Sequence, residues 1–253
     1  MPKTVKIALA GEGGQGVQAV AEILAEAANQ EGKQALYIPN FGVEQRGGVS
    51  IAYVQISDEK IGAPKFQYAD ILVPLSPRAV RRTKEHAGPN TIYIYDNSLV
   101  QEGEVNDNIV GQQYQEVTPP DPTVGMPNPE NAPAKNTAVR HHTDLPQDMI
   151  AGEPKTGSYT RPGAGIDPED LPREVKKIIP IPANDIAQNE LHPRVFNVLV
   201  LGAVIAATDV LPLDSIKRAL EAKLGHKFAD NPELRAMNYA ALQRGYDLIK
   251  SSL

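Results

Sequence analysis

A glycine-dense turn near the start of the sequence constrains the fold more strongly than any other feature. The run GEGGQG, residues 11–16, follows the apolar run VKIALA and precedes VQAVAEILAEAA, in which apolar residues recur every three or four positions. This order predicts a strand, a tight turn and an amphipathic helix. The run QALYI at residues 34–38 supplies a second strand, so the chain is expected to open with a right-handed βαβ unit of a parallel sheet.

Three further apolar runs extend this sheet. Residues 49–56, 70–75 and 91–96 are rich in the β-branched and aromatic residues that favour strands. Between the last two runs, PRAVRRTKEHAG has Pro77 near its start and Gly88 beyond its end, which is typical of a helix. We therefore predict an α/β fold, a three-layer sandwich with a mostly parallel, Rossmann-like sheet.

The C-terminal third predicts one more strand and three helices. The strand KKIIPIPAN contains Pro180, which cannot donate a hydrogen bond and so confines the strand to a sheet edge. The apolar run at residues 195–207 is shorter than the about 20 residues that span a bilayer, so it is expected to form a buried or interface helix. Gly225 is expected to end the next helix as its C-cap. Asn231 is expected to cap the last helix, with Pro232 in its first turn.

A proline-rich region separates these two parts of the chain. Residues 112–182 hold more than half of the chain's 22 prolines and show no sustained period. We therefore predict one domain over residues 1–253 with a Pro-rich extended insert at about 112–176. Our hypothesis is an arm that becomes ordered against a neighbouring chain, and the alternative is a disordered segment. The candidate anchors of such an arm are Met126, Val139, Met149, Tyr159 and Ile166.

Composition excludes several classes of function. The net charge of -6 and the isoelectric point near 5.4 provide no basic surface for a phosphate backbone, so no nucleic-acid partner is expected. The chain has no cysteine and therefore cannot carry a disulfide, a thiolate nucleophile or an iron–sulfur cluster. Any redox centre must lie on another chain. The first residues lack the pattern of a signal peptide, so we expect a cytoplasmic protein with no membrane partner.

The glycine turn resembles a dinucleotide-binding loop only in part. Gly11, Gly13 and Gly16 satisfy G-x-G-x-x-G between a strand and a helix. The full fingerprint adds an acidic residue about 20 positions on, at the end of the second strand, but that strand here ends YIPNFG. Glu12 also places a carboxylate where it would repel a pyrophosphate. The loop is therefore either a nucleotide cradle or a tight turn whose free amides bond to protein or water.

A second glycine motif follows the second strand. In NFGVEQRGGVS, residues 40–50, three polar residues precede a pair of glycines that enters the next strand. Ligands of doubly wound folds bind at the carboxyl ends of strands, and both glycine motifs leave such ends. We therefore expect the two loops to line one crevice, the alternative being a hairpin-like turn with solvated charges. The candidate site residues are Gly11, Gly13, Gly14, Gln15, Gly16, Glu44, Gln45, Arg46, Gly47 and Gly48.

The remaining polar residues support no catalytic assignment. The histidines are scattered, which argues against a metal site. Arg78 or Arg81 could meet a phosphate such as that of coenzyme A, and the alternative is a solvated helix face. No nucleophile with a base and no carboxylate pair can be specified, so the catalytic residues stay unknown.

Four segments together resemble a known family. KIALAGEGGQGVQAVAEILAEAA, FGVEQRGGVS, ADILVPLSPRAV and NVLVLGAVIAATDVLPLDSIKRALEAKLG are similar, in this order, to the gamma subunit of the 2-oxoacid:acceptor oxidoreductases, the pyruvate and 2-ketoisovalerate ferredoxin oxidoreductase group. The resemblance covers roughly residues 4–100 and 177–250. The Pro-rich insert has no counterpart in the family pattern.

The resemblance implies a role within a larger enzyme. The family oxidatively decarboxylates a 2-oxoacid (pyruvate, 2-oxoglutarate, branched-chain, or aryl such as phenylglyoxylate) to an acyl-CoA. It implies alpha, beta and delta-type partner subunits that carry thiamine diphosphate, Mg²⁺ and iron–sulfur clusters, with coenzyme A as co-substrate. The electron acceptor would be ferredoxin or an NAD-linked subunit. This chain would hold no cofactor and would be inactive alone; the alternative is a stand-alone Rossmann-type nucleotide-binding oxidoreductase.

Overall fold

The computed structural model describes residues 4–41, 48–99 and 166–253. Four of the candidate site residues, Glu44, Gln45, Arg46 and Gly47, lie outside these ranges, as does the Pro-rich region up to residue 165. The hypothesis of an extended arm and the division into one domain with an insert therefore stay predictions. One of the five candidate anchors, Ile166, is described, and it is buried against Val80 of its own chain rather than being free to hold a neighbouring one.

Strands and helices alternate through the first half of the described chain, and helices dominate its end. The strands are β1 (Val5–Glu12), β2 (Gln34–Asn40), β3 (Val49–Ser57), β4 (Ile71–Pro74), β5 (Ile92–Asp96) and β6 (Lys177–Ile181). The helices are α1 (Val17–Gln30), α2 (Pro77–Thr83), α3 (Ala183–Asn189), α4 (Phe196–Thr208), α5 (Leu213–Asp230) and α6 (Pro232–Lys250).

The described strands form one six-stranded sheet in the order β2-β3-β1-β4-β5-β6. The neighbours β1, β4, β5 and β6 are parallel, whereas β3 pairs antiparallel with both β1 and β2. This confirms a mostly parallel sheet, and it also shows that β3 lies between the two strands of the opening βαβ unit. The connection from Asn40 to Val49 is too short for a parallel crossover, so β3 has to return antiparallel.

Alternate residues of each strand face opposite sides of the sheet. On β1, Ile7 and Leu9 join the large core formed with α1, α4, α5 and α6, whereas Ala8 and Ala10 face the other side. That second side is covered by α2, through Ala79 and Val80, and by the segment that begins at the buried Ile166. The sheet therefore has helices on both faces, as the sequence predicted.

The predictions for β6 and α6 are confirmed. β6 is an edge strand of the described sheet, and Pro180 on it is exposed. The Asn231 side chain caps α6 by accepting a hydrogen bond from the Leu234 amide at 3.1 Å, and Pro232 occupies the first turn.

The prediction that Gly225 ends a helix is wrong. α5 continues from Leu213 to Asp230, with Gly225 in its interior. The physical reason is the burial of Phe228, which is almost fully enclosed one turn further on. Burying an aromatic side chain contributes about 2 kcal/mol or more, which exceeds the about 1 kcal/mol that an interior glycine costs.

α4 is the buried helix that its apolar run predicted. Ten of its residues are buried, because it lies between the sheet and α6. α4 and α6 cross at two glycines, Gly202 and Gly245. An added Cβ at Gly202 would lie 2.0 Å from the carbonyl oxygen of Leu242, and one at Gly245 would lie 1.9 Å from that of Leu199. None of the described helices is long and apolar enough to cross a membrane.

Candidate functional site

The carboxyl ends of the parallel strands and the start of β3 lie at the same edge of the sheet. The register pairs Glu12 at the end of β1 with Val49 at the start of β3, and Ala10 with Pro74 at the end of β4. The first glycine loop and Gly48 are therefore neighbours in space. We call this part of the molecule the carboxyl edge, formed by residues 11–16, 41, 48, 75–78, 96–98 and 182–184.

The first glycine loop is a tight turn that starts α1. The Gln15 amide donates to the Glu12 carbonyl at 3.1 Å, which closes the turn around Gly13 and Gly14. Gly14 has φ 98° and Gly16 has φ 73°, both in the left-handed region that glycine adopts without strain. Gly16 is also the N-cap of α1 and offers no side chain to its first amides.

The carboxamide of Gln15 fills the inside of this loop. Its Oε1 accepts a hydrogen bond from the Glu12 amide at 2.7 Å, and its Nε2 donates to the Leu75 carbonyl at 2.6 Å. Gly11 lies directly under this side chain, since a Cβ at Gly11 would be 2.6 Å from Gln15 Oε1. One amide that a dinucleotide-binding loop would offer to a phosphate is therefore already bonded within the chain.

Two residues that the sequence did not single out complete this end of the edge. The Asn197 side chain, on the first turn of α4, packs on Gly16, where an added Cβ would meet its Nδ2 at 2.8 Å. Phe41 follows β2 and is 66% exposed, an unusual environment for a phenylalanine. The signal for Asn197 was a polar residue at the start of an otherwise apolar helix.

The ends of β5 and β6 are joined by a buried carboxylate. Asp96 is completely buried and accepts hydrogen bonds from the Ala183 amide at 3.1 Å, the Asn184 amide at 3.0 Å and the Ser98 amide at 3.0 Å. The Ser98 hydroxyl is a fourth donor to it. Burial raises the pKa of the Asp96 carboxyl, and these hydrogen bonds act in the opposite direction. Asp96 thus caps α3 from a distant strand, because the N-cap position is Pro182.

The start of α2 provides the third segment of the edge. The Ser76 side chain caps α2 by accepting from the Ala79 amide at 3.1 Å. Arg81, one of the two candidate phosphate ligands, lies with its Nη1 at 3.4 Å from Asp170 Oδ2 and is half exposed. Its charge is thus partly met within the chain, which favours the solvated-face interpretation for Arg81.

The buried carboxylate in the described part of the carboxyl edge is engaged within the chain. This group is Asp96, and its oxygens are engaged by backbone amides and by Ser98. In the described ranges no three His, Cys, Asp or Glu side chains are grouped so as to hold a metal ion. The described polar groups at the ends of β5 and β6 therefore serve to join these strands to α3.

Comparison with known proteins gives a consistent set of relatives. The family model described as pyruvate ferredoxin/flavodoxin oxidoreductase matches residues 6–248. The 2-oxoglutarate synthase subunit KorC of Archaeoglobus fulgidus is 41% identical over 100 residues, covering 40% of this chain and 54% of that subunit. The chain thus aligns with about half of that relative. The pyruvate synthase subunit PorC of Thermotoga maritima is 25% identical over 246 residues, covering 96% of this chain and 93% of that subunit.

Solved structures share the fold. The gamma subunit of a keto/oxoacid ferredoxin oxidoreductase from Geobacter sulfurreducens superposes with a TM-score of 0.58 at 21% identity, covering 98% of this chain and 99% of that one. The 2-oxoglutarate:ferredoxin oxidoreductase from Magnetococcus marinus, solved with 2-oxoglutarate, coenzyme A and succinyl-CoA bound, gives a TM-score of 0.66 at 21% identity. That match covers 98% of this chain and 31% of the larger one.

Proposed function

The chain belongs to the pyruvate ferredoxin/flavodoxin oxidoreductase family, and on that premise we propose that it is the gamma-type subunit of a 2-oxoacid:ferredoxin oxidoreductase complex. The observation that carries the proposal is the family match over residues 6–248. This match includes all the described strands except the first residue of β1. The names of these relatives refer to pyruvate, 2-oxoglutarate or ketoisovalerate as the substrate. The substrate class is therefore a 2-oxoacid, oxidatively decarboxylated to its acyl-CoA.

The cofactors of such a reaction do not fit the donor groups of this chain. Iron–sulfur clusters need cysteine thiolates, and the chain has no cysteine. Thiamine diphosphate is held through Mg²⁺ by oxygen ligands, and the described residues hold no carboxylate cluster for that ion. We therefore assign thiamine diphosphate, Mg²⁺ and the clusters to alpha, beta and delta-type partners, with ferredoxin or an NAD-linked subunit as acceptor.

We assign the carboxyl edge to the partner interface near the coenzyme A path. The first glycine loop and Gly48 are neighbours there, and Phe41 exposes a large apolar side chain at the same edge. Small loop residues allow a partner backbone or a ligand to approach closely. The related fold from Magnetococcus marinus is described with coenzyme A bound, which supports this ligand class for the complex. The cytoplasmic location of the complex stays a prediction from the sequence.

A stand-alone nucleotide-binding oxidoreductase is the competing function, and the loop geometry argues against it. β2 ends at Asn40 without an acidic residue for a ribose, and the Gln15 carboxamide occupies the inside of the glycine loop. A dinucleotide would have to displace that side chain and approach Glu12.

We expect the purified chain to bind neither NAD(H) nor thiamine diphosphate in isothermal titration calorimetry. The physical reason is the missing ribose acid and the self-filled loop. The native complex, purified through this chain, should reduce ferredoxin when supplied with coenzyme A and one member of a panel of 2-oxoacids. Micromolar binding of NAD by the chain alone, or a chain that purifies without partners and without such activity, would favour the competing function.

Arg46 tests whether the second loop faces the active site. We expect Arg46→Ala to reduce turnover of the assembled complex about tenfold or more while leaving its melting temperature nearly unchanged, because on this proposal the Arg46 side chain serves the active site rather than the core of the chain. Arg46→Lys keeps the charge but not the planar fork, and should recover part of the rate. Arg173→Ala, a change at an exposed arginine, is the control. Normal turnover and assembly of the complex with Arg46→Ala would favour the alternative interpretation, a hairpin-like turn with solvated charges.

A further inference from the structure

We propose that Gln15 is the positioning residue of the carboxyl edge: its carboxamide locks the glycine loop to the end of β4 and the start of α2. The two hydrogen bonds of Gln15 are a property of this chain alone. A role of Gln15 in the turnover of the assembled complex rests on the proposed function. Gln15 belongs to the run GEGGQG, residues 11–16.

The two hydrogen bonds of Gln15 use both ends of its amide. Oε1 accepts from the Glu12 amide at 2.7 Å, three residues before it, and Nε2 donates to the Leu75 carbonyl at 2.6 Å, sixty positions away. The same side chain thus satisfies a loop amide and a strand-end carbonyl. Asparagine would be too short for both contacts, and a charged residue would match only one of them.

The loop is shaped around this side chain. Gly11 has no room for a Cβ beneath Gln15, where Oε1 would be 2.6 Å away and Val17 Cγ2 2.7 Å away. The left-handed angles of Gly14 and Gly16 then turn the chain into α1. Gly11 therefore makes room for the Gln15 side chain, whereas Gly14 and Gly16 form the turn.

The bond to Leu75 extends this order to a second segment. The Leu75 amide donates to the Ala10 carbonyl at 2.8 Å, so Leu75 is tied to β1 through its amide and to the loop through its carbonyl. The next residue, Ser76, is the N-cap of α2. Through Gln15, the starts of α1 and α2 therefore hold one fixed arrangement at the edge.

The sharpest test uses Gln15→Glu, because its chemistry changes with pH. The glutamate has the same shape, and when protonated it can accept from Glu12 and donate to Leu75 as glutamine does. When ionised it loses the donor and faces the Leu75 carbonyl with a charge. Gln15→Met has a similar length but neither hydrogen bond at any pH. Gln30→Met, at the exposed far end of α1, is the matched control.

The first readout is hydrogen exchange of residues 11–16 in the purified chain. Gln15→Met lacks both hydrogen bonds and should lower the protection factors about five- to tenfold at all pH values. Gln15→Glu should lower them only above the pKa of the new glutamate, where the side chain loses its donor. Gln30→Met should match the wild type. Unchanged protection in Gln15→Met would overturn the proposal.

The second readout is the division between kcat and KM for coenzyme A in the assembled complex. Gln15→Glu should show a raised KM or a lowered kcat at neutral pH that recovers at lower pH relative to wild type, whereas Gln15→Met should show a defect without recovery. Normal kinetics for both variants, with altered exchange, would overturn the positioning role at the active site. A wild-type complex with no 2-oxoacid activity would overturn the proposed function instead, and the exchange result would still decide the anchoring role.

Discussion

Gly202→Ala and Gly245→Ala should each lower the free energy of unfolding by about 3 kcal/mol, the upper part of the range for overpacked cores. Both residues lie in the middle of helices, where alanine normally stabilises relative to glycine. Here the added methyl groups would point into backbone carbonyl oxygens at 2.0 and 1.9 Å. A backbone carbonyl in a neighbouring helix cannot rotate away as a side chain can, so α4 and α6 would have to separate.

Gly225→Ala is the matched control for this pair. Gly225 also lies inside a helix, but an added Cβ would meet nothing closer than Glu221 Oε2 at 3.9 Å. We expect this variant to gain about 0.5–1 kcal/mol from helix propensity. Urea unfolding of the purified chain, followed by circular dichroism, measures all three midpoints. A stability loss at Gly225 equal to that at Gly202 would show that packing between α4 and α6 is not the cause.

Asp96→Ala is the second change with a large expected effect, a loss of about 3 kcal/mol. The substitution leaves the amides of Ala183 and Asn184 without their acceptor at a fully buried helix start. Buried donors that lose their partner keep the cost of leaving water, which is why the loss exceeds that of an ordinary hydrogen bond. The contact between β5 and α3 should loosen first.

Two variants separate this explanation from a general effect of losing an aspartate. Asp96→Asn retains one acceptor oxygen and should lose about 1–2 kcal/mol. Asp167 also accepts a backbone hydrogen bond, from the Glu169 amide at 2.9 Å, but it is solvent-accessible, so Asp167→Ala should lose less than about 1 kcal/mol. Thermal unfolding of the chain compares the three. Equal losses for Asp96→Ala and Asp167→Ala would contradict the argument from burial.

Local patterns were sufficient to predict most elements. Alternation and apolar runs located the strands, since each strand of a covered sheet must bury at least one face. Pro180 predicted an edge strand because proline has no amide proton to donate to a neighbouring strand. Asn231 predicted a helix start because its side chain accepts a hydrogen bond from an amide three residues on. At Gly225 the local preference of glycine for a helix end is outweighed by the burial of Phe228, which depends on tertiary packing.

The roles of the residues that organise the carboxyl edge could be predicted only in part from the sequence. The glycines of the first loop were recognisable because a left-handed turn needs them. The bond from Gln15 to Leu75 and the packing of Asn197 on Gly16 were not, since they join residues far apart in sequence. Asp96 looked like the end of a strand, and only the placement of α3 beside it makes it a helix cap.

By itself the sequence determined the α/β class, the turn at residues 11–16 and the absence of cysteine chemistry, because these depend on residue type and on spacing within one element. Tertiary structure alone decided the antiparallel insertion of β3, the crossing of α4 and α6 at Gly202 and Gly245, and the hydrogen bond from Gln15 to Leu75. Those features depend on contacts between elements distant in the chain, and such contacts exist only once the sheet order is set.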